Sequence, residues 1–132
     1  MTNRDETTIK RRNAVSLEYH AWIVLATSAA DWDDGEWDRA GDKVNQLLTR
    51  LRPEDGHRVQ MSEASLCPTT VCISGFDVGS TELVKEVLLK MPAICDASYG
   101  ELVVFHWPGP GRLPDAERFF LTDGKLVGLP RS

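Results

Sequence analysis

The chain has 132 residues, of which 42% are hydrophobic and 27% are charged, with a formal net charge of −5. These proportions exclude a membrane-spanning chain and a disordered one, and the length predicts a single domain. The longest fully apolar run is the six residues 21–26, and the first fourteen residues lack the apolar core of a signal peptide. We therefore expect a cytoplasmic protein that does not bind membranes.

The first part of the chain predicts a tail, a strand and a helix. Residues 1–14 are polar without periodicity and predict a mobile tail. Residues 15–28 are rich in β-branched and aromatic residues, with apolar side chains at alternate positions, and predict a strand. Residues 34–52 place apolar side chains at helical spacing, which predicts an amphipathic helix that Pro53 ends.

The segment DWDDGEWDRA, residues 31–40, contains the start of this helix. With Asp33 as the N-cap, Glu36 occupies the N3 position of a capping-box variant. Trp32 and Trp37 then have the spacing of a hydrophobic staple, so we expect Trp37 to be mostly buried. Capping accounts for only two of the five acids in the segment, which leaves a surplus of negative charge.

This surplus dominates the charge of the chain. Residues 31–42 contain six acids and one base, a charge of −5 that equals the net charge of the whole protein. A nucleic-acid-binding surface needs a basic footprint, so this distribution argues against a nucleic-acid partner. It favours a basic protein partner instead, because opposite charges accelerate the encounter of two proteins.

The rest of the chain predicts five further strands and a second helix. That helix is expected to begin near Ser80 and to lose its regular form at Pro92. The strands are predicted over residues 57–65, 69–77, 98–107, 116–122 and, less regularly, 125–129, with a loop at 108–115 and an Asp-Gly turn at 123–124. The fold class is therefore α+β, with the ferredoxin-like order β-α-β-β-α-β and an added C-terminal hairpin strand. We expect one domain over residues 15–132, with both helices on one face of a mainly antiparallel sheet.

The sequence carries no recognised catalytic, cofactor or metal-binding pattern. The G-x-S-x-G, P-loop and G-x-G-x-x-G motifs are absent. His20 and His106 would be neighbours if the first and fourth strands pair, yet no acid or cysteine has obvious ligand spacing to them. The three cysteines, Cys67, Cys72 and Cys95, are predicted to be buried thiols on strands. We therefore predict a non-enzyme without metal or cofactor.

Three short blocks resemble the immunity protein 7 family of bacterial polymorphic toxin systems. The first is Tyr19-His20-Ala21-Trp22, in which alanine replaces a glycine of the family pattern. The others are the Ser-Tyr-Gly of residues 98–100 and the Asp-Gly-Lys of residues 123–125. The resemblance spans about residues 17–128, although WPGPGRLPD at 107–115 replaces an acidic turn of the family. It implies an α+β fold and a non-enzymatic inhibitor that binds a cognate toxin.

The charge and the resemblance together predict where a basic toxin domain would bind. The predicted contact is centred on the helix start and extends to the proline-rich loop and the open sheet face. Its residues are Asp31, Trp32, Asp34 and Asp38 at the helix start, Trp107, Arg112 and Asp115 around the loop, and Trp22 on the open face. The alternative is that these acids only interact favourably with the helix dipole and keep the protein soluble.

Two other classes of function stay open at this point. One is a small-ligand-binding or regulatory ferredoxin-like domain, in the form of a homodimer that pairs its open sheet faces. The other is an enzyme in which His20 and either Glu18 or Glu101 act as acid and base.

Overall fold

The computed structural model describes residues 16–29, 31–61 and 69–129, and within them two helices and a six-stranded sheet. The strands are β1 (Ser16–Leu25), β2 (His57–Met61), β3 (Thr69–Val78), β4 (Tyr99–Trp107), β5 (Asp115–Thr122) and β6 (Lys125–Gly128). The helices are α1 (Asp34–Leu48) and α2 (Glu82–Lys90), and short 3₁₀ turns cover Pro53–Asp55 and Met91–Ala93. The α+β class is confirmed.

The sheet has the strand order β2-β3-β1-β4-β5-β6, and every neighbouring pair is antiparallel. β1 therefore lies inside the sheet, between β3 and β4. The predicted Asp-Gly turn joins β5 to β6, and both of its residues have positive φ, 51° at Asp123 and 74° at Gly124. Two left-handed residues in succession match the right-handed twist of a two-residue hairpin.

Both helices pack on the same face of the sheet. Alternate residues of β1 are buried, and they share one core with buried residues of both helices, such as Val44 and Val87. The strand residues of this core are Tyr19, Ala21, Ile23, Leu25, Val71, Ile73, Val78, Leu102, Val104 and Leu121. The intervening residues of each strand face the opposite side. No helix lies over that side within the described residues.

Tyr19 is fully buried at the centre of this core, and its hydroxyl is 2.7 Å from Nδ1 of His57, which is 8% exposed. Burial raises the pKa of the Tyr19 hydroxyl above its ordinary range. Burial also lowers the pKa of His57, an effect that the nearby Asp55 partly opposes. Both side chains are therefore neutral near pH 7, which suits a hydrogen bond inside an apolar core.

The predicted bounds need correction at several element ends. The first helix ends at Leu48 rather than near residue 52, and Leu51 is buried beyond its end, before the 3₁₀ turn that starts at Pro53. The second helix begins at Glu82, after Ser80, whose hydroxyl accepts a hydrogen bond from the Glu82 amide at 3.1 Å. The predicted tail 1–14 and the strand residues 62–65 lie outside the described residues.

None of the helices in the described ranges is both long and apolar enough to cross a membrane.

Candidate functional site

The start of α1 has the predicted capping geometry. The backbone N–H of Glu36 donates to Oδ1 of Asp33 at 2.8 Å. The ring of Trp32 packs on that of Trp37 edge-to-face, with centroids 4.8 Å apart. Both the N-cap and the staple predictions are therefore confirmed. Trp37, however, is only partly buried, because the helix start lies at the margin of the core.

The surplus acids of this segment are exposed. Asp31, Asp34 and Asp38 are solvent-exposed, and none of them forms a salt bridge with another described residue. Together with the half-buried Trp32 they form what we call the acidic helix start (Asp31, Trp32, Asp34 and Asp38). Its negative charge lies at the positive end of the helix dipole, which stabilises the carboxylates there.

Asp96, in the connection to β4, fixes the chain that leads into the acidic helix start. Its carboxylate accepts hydrogen bonds from the Thr27 hydroxyl at 3.0 Å, from the Ser28 amide at 2.8 Å and from the Ser28 hydroxyl. The bonds from Ser28, followed by the bond from Thr27, lower the pKa of Asp96. The exit from β1 is therefore held in place by a charged acceptor.

A second surface lies on the side of the sheet that faces away from the helices. Strand alternation brings six aromatic side chains to this side, and we call them the aromatic face: Trp22, Phe76, Tyr99, Phe105, Trp107 and Phe120. Four of them are large exposed hydrophobics, with exposed fractions of 39% for Trp22, 69% for Phe76, 49% for Tyr99 and 37% for Trp107. Exposed aromatic rings concentrated on one side mark a surface suited to binding.

Several side chains of this face form specific contacts. The ring of Trp22 meets that of Tyr99 edge-to-face, at 6.1 Å between centroids. Nε1 of Trp107 donates to Oε1 of Glu18 at 3.1 Å, while Nε2 of His20 is 2.6 Å from Oε2 of the same carboxylate. A groove of about 380 Å³ also crosses the face, lined in part by Trp22, His20, Arg58 and Cys72. The face is therefore preorganised rather than loose.

The predicted contact residues fall into two groups. Trp107 pairs with Ser16 at the first residue of β1, whereas the acidic helix start follows the last residue, Leu25. From Ser16 to Leu25 the strand makes nine residue steps, which span about 30 Å of extended chain. Trp22 and Trp107 share the aromatic face, and the exposed loop that carries Arg112 continues from it to Asp115, the exposed first residue of β5. The acidic helix start and the proline-rich loop are therefore not adjacent.

The structure also separates His20 from His106. β1 pairs with β4 as expected, but His20 lies on the aromatic face while His106 has the opposite alternation and bonds Glu117 at 2.5 Å between Nε2 and Oε1. The expected proximity of His20 to His106 is wrong, because they occupy opposite faces of the sheet. His20 contacts Glu18, whereas Glu101 forms a salt bridge with Arg118. The His20 side chain is 58% exposed and the Glu18 side chain is 22% exposed.

The cysteine prediction requires a correction. Cys72 lies on β3 but is exposed, since its alternation places it on the aromatic face beside Trp22. Cys95 is buried, but it follows a 3₁₀ turn and does not belong to a strand. Cys67 lies outside the described residues. Among the described side chains there is no group of three potential ligands arranged to hold a metal ion.

Sequence reasoning missed four of the six aromatic side chains, because it weighed only the tryptophans of this face. The signal that identifies Phe76, Tyr99, Phe105 and Phe120 is their register with β1 or with β4. That register depends on which strands pair, which alternation within a single strand does not reveal.

Comparison of the chain with protein-family models, with curated proteins and with solved structures finds no match. The resemblance to the immunity protein 7 family therefore stays a prediction.

Proposed function

We propose that this protein is an immunity protein of the immunity protein 7 type, which neutralises a basic toxin domain in the cytoplasm by direct binding. The observation that carries the proposal is the aromatic face, with its exposed rings on a rigid sheet. Tryptophan and tyrosine are the residues that most often anchor protein interfaces.

The fold agrees with this proposal. We assign it as ferredoxin-like, and the order β2-β3-β1-β4 with antiparallel neighbours supports that assignment. β5 and β6 widen the sheet beyond this unit. The widening extends the uncovered side to six strands.

The size of the uncovered side of the sheet, which contains the aromatic face, suits a stable complex. Five strand spacings of about 4.8 Å and some six residues of about 3.3 Å give a flat area of roughly 480 Å². A standard interface buries about 800 Å² on each partner. The uncovered side of the sheet supplies more than half of this area, and the adjoining loop, in which Leu113 is 90% exposed, extends it at the Trp107 end.

The acidic helix start has a different role in this proposal. It lies beyond the end of β1 and belongs to a helix on the covered side of the sheet, so it does not extend the same contact. Its charge acts at a distance on a basic toxin, which affects the association rate more than the dissociation rate.

The test uses the toxin domain that is encoded next to this protein. Co-expression should restore growth, and the purified proteins should form a 1:1 complex. Trp22→Ala should weaken the complex by about tenfold or more, since a central tryptophan contributes roughly 2 kcal/mol. Leu89→Ala is the matched control, because Leu89 is 44% exposed but lies on α2.

Variants on each surface then distinguish the role of the acidic helix start from that of the aromatic face. Reversal of Asp31, Asp34 and Asp38 to lysine should slow association at low salt with little effect on dissociation. Wild-type affinity in both Trp22→Ala and Trp107→Leu, or failure to protect the cell, would contradict the proposal. A stable dimer that buries Trp22 would favour the regulatory homodimer instead.

A further inference from the structure

Glu18 occupies a distinctive position within the aromatic face. Its cross-strand partners are Phe76 on β3 and Phe105 on β4, so Glu18 is paired with an aromatic residue on each neighbouring strand. Trp107 and His20 each contact one oxygen of its carboxylate. Two aromatic side chains thus contact the carboxylate, and two more belong to the residues paired with Glu18 on the neighbouring strands. We call this group the Glu18 site (Glu18, His20, Phe76, Phe105 and Trp107).

The position of the Glu18 carboxylate is fixed while its charge stays accessible. The Trp107 indole is a neutral donor, so its hydrogen bond orients the carboxylate without cancelling the charge. The Glu18 side chain is 22% exposed, and the Phe76 ring beside it is 69% exposed. Each carboxylate oxygen has two lone pairs, so each oxygen can accept one more hydrogen bond.

The charges around the site favour a cationic group. No lysine or arginine in the described part of the chain forms a salt bridge with Glu18, which contacts His20. On β3, Asp77 adds a second carboxylate next to Phe76, in a bulge with a positive φ of 55°, and it accepts a hydrogen bond from Ser16 at 3.1 Å. The carboxylate of Glu101, by contrast, is already paired with Arg118 on the same face.

We propose that the Glu18 site receives one cationic side chain, an arginine or a lysine, from the basic partner. The ring faces attract a cation through their quadrupoles, and the carboxylate supplies the opposite charge. An arginine fits best, because its planar guanidinium stacks on aromatic rings and donates hydrogen bonds in two directions. This inference rests on the proposed function for the identity of the partner, but its chemistry can be tested without the toxin.

The test is an NMR titration of the ¹⁵N-labelled full chain with the blocked peptide Gly-Arg-Gly. The peptide Gly-citrulline-Gly, which has nearly the same shape without the charge, is the comparison. The indole N–H signal of Trp107 reports directly on the site, because that group contacts Glu18. We expect saturable shifts of this signal with the arginine peptide and none with the citrulline peptide.

Three variants test which groups bind the peptide. Glu18→Gln keeps an acceptor for Trp107 but loses the charge, and it should weaken peptide binding by about fivefold. Phe76→Leu should weaken it by about threefold through the lost cation–π contact. Glu101→Gln, which removes a carboxylate that is already paired, should bind the peptide as the wild type does.

Equal binding of the two peptides, or wild-type binding by Glu18→Gln, would overturn the inference. The outcome is separable from that of the proposed function. Toxin inhibition without an arginine-dependent shift of the Trp107 signal refutes the Glu18 site alone. Arginine-dependent binding in a protein that fails to protect against the toxin refutes the immunity role alone.

Discussion

Replacement of Tyr19 by phenylalanine isolates a buried polar contact within the core. The variant keeps the ring and its packing but removes the hydroxyl that lies 2.7 Å from Nδ1 of His57. Tyr19 is fully buried and His57 is 8% exposed, so water does not replace the lost partner freely. A buried polar group left without its hydrogen bond costs about 1–3 kcal/mol. We expect the free energy of unfolding to fall by about that amount.

Urea unfolding at a pH of about 7.5, followed by tryptophan fluorescence, measures this loss. The matched control is Tyr99→Phe at the only other tyrosine in the sequence, which is 49% exposed. The control should change the free energy of unfolding by less than about 0.5 kcal/mol. A wild-type midpoint for Tyr19→Phe, or an equal loss in both variants, would show that the bond to His57 does not stabilise the fold.

Three further predictions follow from the geometry. Burial lowers the pKa of His57 below its ordinary value of about 6.5, so the unfolded chain takes up a proton at a higher pH than the folded chain does. The free energy of unfolding should therefore fall as the pH drops below about 6.5. Urea midpoints at several pH values should show this fall, and His57→Gln should reduce it. Asp33→Ala should cost about 1 kcal/mol through loss of the N-cap, whereas Asp38→Ala on the same helix should change the urea midpoint little, and equal losses would contradict the capping role. Gly100→Ala should prevent normal folding, because the new Cβ would lie 2.2 Å from a backbone oxygen of β1, whereas Gly41→Ala, with nothing within 4 Å, should raise the melting temperature.

The local elements could be predicted because their signals are local. Asp33 caps α1 and Trp32 packs on Trp37 as the spacing indicated, since both interactions span five residues or fewer. The end of α1 was less predictable. Leu51 continues the apolar periodicity of the helix, yet it is buried in the turn that follows Leu48, because packing rather than helical structure places it in the core.

The candidate site was less predictable than the elements. The tryptophans at 22 and 107 were recognised as contact candidates, but the position of Trp107 relative to the helix start depends on the pairing of β1 with β4. Likewise, the aromatic neighbours of Glu18 come from two other strands. Such juxtapositions are tertiary, and residue spacing along the chain carries no information on them.

The position of β1 between β3 and β4 has a consequence for the order of folding. The contact between Glu18 and Trp107 joins residues that are 89 positions apart, and one side of β1 stays unpaired until β4 has been synthesised. Folds dominated by such distant pairings form slowly, because each pairing must first close a long loop. On the ribosome, the emerging chain therefore exposes an unprotected strand edge through most of its synthesis, and the Glu18 site is completed only when Trp107 has left the exit tunnel.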